Sequence, residues 1–147
     1  NGRAYLQTAR DRPLRYAVEP RHPSFADARF VELLRAHDVA MCVADTAGVH
    51  PMFEDAAASF AYVRLHGATR LYASGYSRRS LEKWAARIEP ILRSGRDVYV
   101  YFDNDARVRA PFDARVLRAT LRGESPEPLP AALRGAGEPP RTAWPRF

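Results

Sequence analysis

Short apolar runs that end in polar residues alternate along the chain with longer stretches in which apolar residues recur at spacings of three and four. The short runs are rich in β-branched and aromatic residues, a composition typical of β-strands. They predict four strands, at residues 14–20, 39–46, 60–67 and 97–105. The run VAMCVADT is apolar almost throughout, as expected of a strand that is covered on both faces.

The stretches between the strands predict helices. Ser24 is a candidate N-cap for a helix from Phe25 to about His37, because its hydroxyl can accept a hydrogen bond from the first turn. Asp27 falls in that turn, where the helix dipole favours negative charge. The next connection, residues 47–59, predicts a short helix or a turn.

The clearest helical signal follows Ser77, a second candidate N-cap. The apolar face of this helix consists of Leu81, Trp84, Ile88 and Ile91. Gly95 predicts its end, and Pro90 is expected to kink the last turn or to end the helix early. Pro111 opens a final predicted helix over residues 111–121.

The end of the chain differs from the rest in composition. From Gly123 it is rich in Pro and Gly, which predicts a flexible tail at residues 123–147, with Trp144 or Phe147 as residues that can dock on the folded part. Residues 1–122 are predicted to form one domain.

Strict alternation of strands and helices predicts the α/β class, with a parallel sheet and helices outside it. No glycine fingerprint follows any strand, so the pattern supports neither a dinucleotide-binding fold nor a phosphate-binding loop. A barrel of β/α units and a small open sheet both fit the pattern.

Composition adds little about partners. The formal net charge is +6, but the basic residues, all Arg except Lys83, are scattered among Asp and Glu. Nucleic-acid binding is therefore a weaker alternative than the charge alone suggests. The single cysteine, Cys42, predicts a small buried residue and a reducing, cytoplasmic setting. No apolar run approaches the roughly 20 residues that a membrane helix needs, so no membrane association is expected.

Polar and ionisable residues end each of the four strands. In a β/α barrel the chemistry lies at the carboxyl ends of the strands, so these residues are expected to share one pocket. Arg64 and His66 are two residues apart and therefore lie on the same face of their strand. The strand-end residues are Glu19, Arg21, His22, Asp45, Thr46, Arg64, His66, Asp103, Asn104 and Asp105.

This set predicts a binding site for a small anionic or phosphate-bearing ligand. Arg21 and Arg64 at one pocket mouth are suited to bidentate binding of a carboxylate or phosphate. His66 or His22 is a candidate general acid–base, with Glu19 as a partner base, because imidazole titrates near neutral pH.

Two other interpretations use the same residues. Glu19, Asp45 and His66 form a possible oxygen and nitrogen ligand set for a divalent metal, which would assist hydrolysis or isomerisation. Alternatively, Glu19 forms a structural ion pair with Arg21 or Arg64, and Asp45 caps the following turn.

Five ordered motifs then allow a comparison with known families: AVEPRHPSF, VAMCVADTAG, FAYVRLHG, YSRRSLEKWAARI and DVYVYFDND. In this order and spacing, over residues 14–121, they resemble the YecE-like family (domain of unknown function 72). The resemblance implies a TIM-type β/α barrel without an established activity. It places the family's polar pattern on Glu19, Arg21, His22, Asp45, Arg64, His66, Gly67, Tyr76 and Asn104. Tyr76, Asp103 and Asn104 are accordingly expected to contact the ligand together with the two arginines. At Asp103 the family more often has asparagine.

A complete barrel of this type has roughly 250 residues, and the four strands resemble its second half. A fragment of a longer member is expected, with an open barrel edge that allows self-association or pairing with another copy. An inactive fragment is one alternative. The other is a nucleic-acid-binding protein with Tyr72 and Tyr76 as stacking platforms.

Overall fold

The computed structural model describes residue 10 and residues 12–56 and 58–134. Its centre is a sheet of four parallel strands in the order β1-β2-β3-β4. Each strand therefore lies beside the one that precedes it, the arrangement of consecutive units in a β/α barrel. The strands are β1 Tyr16–Val18, β2 Val39–Asp45, β3 Phe60–Leu65 and β4 Asp97–Phe102. The predicted α/β class and parallel sheet are confirmed.

Helices lie between β1 and β2, between β3 and β4, and after β4. A 3-10 turn at Pro23–Phe25 precedes the first α-helix, and a one-turn helix closes the described part of the chain. This last helix falls within the predicted tail, whereas Trp144 and Phe147 lie outside the described residues. The α-helices are α1 Ala28–Ala36, α2 Arg78–Arg93, α3 Ala110–Leu121 and α4 Ala131–Arg134.

The start of α1 differs from the sequence prediction. Asp27, not Ser24, is its N-cap, since the Asp27 carboxylate accepts a hydrogen bond from the Arg29 amide at 2.8 Å. His22 is the N-cap of the 3-10 turn, because its Nδ1 accepts a hydrogen bond from the Ser24 amide at 3.2 Å. Ser24 lies inside that turn, so α1 starts after Asp27, three residues later than the sequence predicts.

Two other connections were left open by the sequence. Between β2 and β3, residues 47–56 and 58–59 contain a turn and irregular backbone, not a helix. Helix α2 begins after Ser77, as predicted, but continues through Pro90 to Arg93. The last turn tolerates Pro90 because its missing N–H removes a single hydrogen bond near an exposed end.

The two faces of the sheet have different surroundings. Side chains alternate along a strand, so Val63 and Leu65 point to one face and Tyr62 and Arg64 to the other. Helices α2 and α3 pack on the first face. The core there consists of Val43, Val63, Leu65, Tyr76, Leu81, Trp84, Ala85, Ile88 and Leu117.

We call the second face the inner face. It is formed by alternate residues of the strands and their ends, namely Arg15, Ala17, Glu19, Ala40, Cys42, Ala44, Phe60, Tyr62, Arg64, Asp97, Tyr99, Tyr101 and Asp103. Cys42 is buried on it, as predicted, and burial raises the pKa of this thiol to about 12. Tyr101, by contrast, is 48% exposed.

The sheet curves strongly around the inner face. Arg15, next to β1, binds Asp97 of β4 at 2.6 Å and the Tyr99 hydroxyl at 2.7 Å. These two strands are at opposite edges of the sheet, so a single side chain bridges its full width. Such curvature is that of a barrel segment. Among the described residues, none of the helices has the length and apolar character needed to cross a membrane.

Candidate functional site

A cluster of charged side chains lies at the carboxyl end of the inner face, with Arg64 at its centre. Arg64 Nη1 donates to Glu19 Oε2 at 2.6 Å, and Nη2 donates to Asp103 Oδ2 at 2.6 Å. Glu19 follows β1 and Asp103 follows β4, so the guanidinium joins both sheet edges. The structure thus brings together three of the residues predicted to share a pocket.

Arg21 extends the cluster toward solvent. Its Nε and Nη2 both lie 2.9 Å from Glu19 Oε1, and its side chain is 48% exposed. Burial alone would raise the pKa of Glu19, but hydrogen bonds and positive charge from Arg64 and Arg21 bring it below its ordinary value. Glu19 is therefore an ionised carboxylate held between two guanidinium groups.

His66, directly after β3, is the most unusual member of the cluster because it is completely buried. Its Nδ1 lies 3.2 Å from Asp103 Oδ2 and its Nε2 lies 4.0 Å from Glu19 Oε1. Neither approach is aligned as a hydrogen bond, and within the described residues both ring nitrogens lack a partner. The ring edge contacts the Tyr72 ring, with centroids 5.3 Å apart.

The pKa of His66 lies below its ordinary value of 6.5. Burial disfavours the charged imidazolium, and the nearby charge of Arg64 does the same, while Asp103 and Glu19 oppose the shift. His66 is therefore neutral at pH 7, with one nitrogen able to donate and the other able to accept a proton.

We expect acidification to destabilise the protein through His66. Its pKa is lower in the folded than in the unfolded chain, so the unfolded chain takes up the proton first. Stability should therefore fall as the pH drops through 6.5 toward the folded-state pKa. Urea unfolding of the wild type and of His66→Asn between pH 8 and 5 measures this, and the variant should lose less stability.

The exposed His37 provides the matched control for this pH experiment. The variant His37→Asn should keep the pH dependence of the wild type. An equally steep loss of stability in His66→Asn and in the wild type would contradict the assignment.

Asp45 lies on the opposite face of the sheet, among the helices. Its Oδ2 accepts a hydrogen bond from the Tyr76 hydroxyl at 3.1 Å, and this hydroxyl accepts one from the Gly67 amide at 3.1 Å. Burial and the charge of Asp45 raise the pKa of Tyr76. Tyr76 belongs to the core between the sheet and the helices, on the face opposite the groove, so its ring cannot serve as a stacking platform or contact a ligand on the inner face.

The predicted metal set is consequently not brought together, since Asp45 is separated by the sheet from Glu19 and His66. In the part of the chain that the structure describes, no group of three His, Cys, Asp or Glu side chains could hold a metal ion.

Asn104 also turns away from the inner face. It is fully buried, and its Nδ2 donates to Asp113 Oδ2 at 2.7 Å and to the Ser74 carbonyl at 3.1 Å. Asp113 also accepts the Tyr76 amide at 2.9 Å and the Arg109 guanidinium at 3.3 Å. Asn104 and Tyr76 therefore hold the loop between β3 and α2 in place instead of facing a ligand.

Asp113, which holds this loop and the strand-end Asn104 in place, is a residue that the sequence prediction missed. It is 2% exposed and lies four residues before the buried Leu117 in α3. An acidic residue on the apolar stripe of a helix is a detectable signal, because a buried carboxylate needs partners.

His22 is not part of the cluster. Its ring is exposed, and Nδ1 is 2.8 Å from the Ser24 hydroxyl, so its contacts are those of a local cap. The prediction of His22 as an acid–base group finds no support in this position. Of the two candidate histidines, His66 is the one that lies in the charged cluster.

A groove of about 380 Å³ runs along the inner face below the charged cluster. Its floor includes Tyr62 and Tyr101, whose rings stack with centroids 5.1 Å apart and planes 24° apart. The lining residues are Ala17, Glu19, Cys42, Tyr62, Arg64, Tyr101 and Asp103. Charged groups at one end and aromatic rings below them form a concave surface.

A protein-family model described as "Protein of unknown function DUF72" matches residues 2–135, most of the chain. The chain belongs to the DUF72 family. The resemblance of the five motifs to the family of domain of unknown function 72 is thereby confirmed. No curated protein matches the chain significantly.

Solved structures of DUF72 family proteins share the fold. One from Enterococcus faecalis V583 has a TM-score of 0.65 at 16% identity, over 80% of this chain and 51% of that one. Another from Thermotoga maritima MSB8 has a TM-score of 0.61 at 25% identity, over 76% of this chain and 46% of that one. The chain therefore spans about half the length of the DUF72 structures that it matches.

Proposed function

We propose that the carboxyl end of the inner face in this DUF72 family protein binds a small anionic ligand, with His66 as the acid–base group. The observation that carries the proposal is the complete burial of His66 with both ring nitrogens unpartnered among the described residues. Buried polar atoms normally have partners, so an unpartnered neutral imidazole beside an arginine suggests a missing ligand.

The geometry favours one protonation state of His66. We place the ring proton on Nδ1 because this nitrogen lies 3.2 Å from Asp103 Oδ2, and a carboxylate oxygen attracts an N–H even where the approach is not aligned as a hydrogen bond. Nε2 then carries the lone pair and acts as the base. Proton transfer at this atom suits hydrolysis or isomerisation of a bound ligand.

The two arginines would hold the anion. Glu19 occupies two nitrogen atoms of Arg21, and a guanidinium has five N–H donors, so donors of the half-exposed Arg21 are available for a ligand. Arg64 lines the groove and presents a planar fork suited to carboxylate or phosphate. Two carboxylates already balance these charges, so the ligand must compete with Glu19 and Asp103.

Inorganic phosphate is the probe for this proposal. The full chain should show a saturable rise in Tm with phosphate, against chloride at equal ionic strength, of about 2–6 °C at a tenfold excess over Kd. Arg64→Gln should abolish the rise. Arg78→Gln should keep it, because Arg78 is an exposed arginine on α2, away from the inner face.

Two results would overturn the proposal. One is an unchanged phosphate effect in Arg64→Gln, which would place the anion elsewhere. The other is the absence of any effect in the wild type, which would favour the inactive alternative. Oligonucleotide binding that falls steeply with salt and persists in Arg64→Gln would favour the nucleic-acid alternative instead.

A further inference from the structure

A second cavity, of about 450 Å³, lies away from the inner face, where two loops meet the start of α2. One loop joins β3 to α2 and the other joins β4 to α3. All of the lining residues lie between positions 68 and 109, in the interior of the chain, and none of them lines the groove of the inner face. The volume falls within the range of roughly 300–1,000 Å³ that is typical of small-molecule sites.

The charge of this cavity differs from that of the inner-face cluster. Arg107 and Arg109 line it, and no acidic residue is among its lining residues. Asp113, which pairs with Arg109, is buried and does not line the cavity. In the inner-face groove, by contrast, Glu19 and Asp103 stand beside the arginine. A wall that carries arginine without a carboxylate attracts an anion.

Arg109 is held in a fixed position with donors to spare. Its Nη2 makes contacts with the Tyr76 carbonyl at 3.4 Å and with Asp113 Oδ1 at 3.3 Å. Within the described residues, its buried Nε has no hydrogen-bond partner. Gly75 lets the guanidinium lie against the backbone, because a Cβ there would collide with it. A guanidinium has five N–H donors, so the contacts that Arg107 and Arg109 already make leave donors for a ligand.

The first turn of α2 adds hydrogen-bonding groups to the same wall. Ser77 is the N-cap, and its Oγ accepts a hydrogen bond from the Ser80 amide at 3.1 Å. The earliest N–H groups of a helix have no partner within it, and the helix dipole favours an anion there. Thr69, Ser77 and Ser80 also line the cavity and bear hydroxyl groups. The helix start therefore assists the arginines, which carry the charge.

The other lining residues indicate what the anion is attached to. Tyr76 is the one aromatic residue among them and is 2% exposed, so the wall offers no ring on which a nucleobase could stack. Hydroxyl groups both donate and accept hydrogen bonds, as the hydroxyls of a sugar do. We infer that this cavity binds a sugar phosphate, with Arg107 and Arg109 on the phosphate and the serine and threonine hydroxyls on the sugar. The inference concerns a site apart from the inner face and does not rest on the function proposed there.

Isothermal titration calorimetry with glucose 6-phosphate tests this inference. The full chain with Arg64→Gln is the parent, because this substitution removes the anion site proposed on the inner face. The parent should bind glucose 6-phosphate saturably, and glucose or inorganic phosphate at least about tenfold more weakly, since each lacks half of the contacts. Arg107→Gln in this parent should weaken binding about tenfold or more, through the loss of charged hydrogen bonds.

Ser80→Glu separates loss of binding from loss of folding. A glutamate at this position completes a capping box with Ser77, so the helix is retained or stabilised. The same carboxylate repels a phosphate in the cavity, so binding should be lost while Tm stays equal or rises. Arg79→Gln is the matched control, because Arg79 is an exposed arginine of the same turn that does not line the cavity. It should keep the affinity of the parent.

Each outcome decides the inference. Binding that is lost in Arg107→Gln and Ser80→Glu but kept in Arg79→Gln supports it. Absence of saturable binding in the parent overturns it, as does equal weakening by Arg79→Gln, which would indicate diffuse charge instead of a site. Equal affinity for inorganic phosphate and glucose 6-phosphate overturns the assignment of the sugar.

The two proposed sites can fail separately. Glucose 6-phosphate that binds the wild type but not a folded Arg64→Gln chain would belong to the inner face, and would overturn the inference made for this cavity alone. Binding in Arg64→Gln, with no phosphate effect on the Tm of the wild type, would leave the cavity and remove the inner-face proposal. The same variants made in the wild type provide a second background if Arg64→Gln does not fold.

Discussion

Replacing Asp113 with alanine is expected to destabilise the protein by about 3–5 kcal/mol, since the change leaves several buried donors without their acceptor. One carboxylate accepts hydrogen bonds from the Tyr76 amide, Asn104 Nδ2 and the Arg109 guanidinium. Its burial raises the pKa of Asp113, and these partners only partly offset that effect. Urea unfolding at pH 7 measures the loss of stability.

Two further variants separate hydrogen bonding from charge at this position. Asp113→Asn keeps one oxygen acceptor but places an amide against Arg109, so an intermediate loss is expected. Asp105→Ala, at an exposed position, should change stability by less than about 0.5 kcal/mol. Equal stability of Asp113→Ala and the wild type would show that the network is not a structural support.

Gly67→Ala is expected to have the second large effect, a loss of about 3 kcal/mol or more. Gly67 has a φ of +126°, a conformation that L-residues rarely adopt. A Cβ at this position would also lie 2.3 Å from the Arg70 carbonyl oxygen and 3.0 Å from Ser74 Oγ. Since the nearest atom belongs to the backbone, the loop itself must move.

Gly48→Ala is the matched control for this substitution. Gly48 has a φ of +78°, but a Cβ there would meet no atom within 4 Å. The control reports the backbone conformation alone, about 1 kcal/mol. Urea unfolding should therefore show a larger loss for Gly67→Ala, which combines a less favourable φ with the collision, than for Gly48→Ala, and equal losses would contradict the argument. Phosphate binding should weaken in Gly67→Ala, because this residue directly follows His66.

The order of the elements could be predicted from sequence because apolar runs and helical stripes are local signals. The partners of the strand-end residues could not. β2 is apolar on both faces, so nothing in VAMCVADT reveals which face points inward. Asp45 points to the same face of β2 as Val43, because the two residues are two positions apart. Its register with Leu65 shows that this is the face covered by the helices. Glu19, Arg64 and Asp103 point to the inner face instead, where they form the charged cluster.

Tyr76 and Asn104 show a second limit of the sequence. Both were assigned to a ligand because the family pattern includes them, yet both are buried and bind Asp113. A pattern of polar residues cannot tell a residue that holds a loop from one that contacts a ligand, since both roles need fixed geometry. The position of His22 after β1 predicts an acid–base role in the pocket, but its ring nitrogen Nδ1 contacts the neighbouring Ser24 hydroxyl instead.

The position of Arg64 between Glu19 and Asp103 also has a consequence for how the chain folds. These two bonds connect residues 45 and 39 positions apart, and the Arg15–Asp97 contact spans 82 positions. Contacts of such large sequence separation form late, because the intervening loops must close first. A nascent chain that lacks β4 would leave Arg64 with Glu19 alone. The cluster is therefore expected to assemble only after β4 has been synthesised.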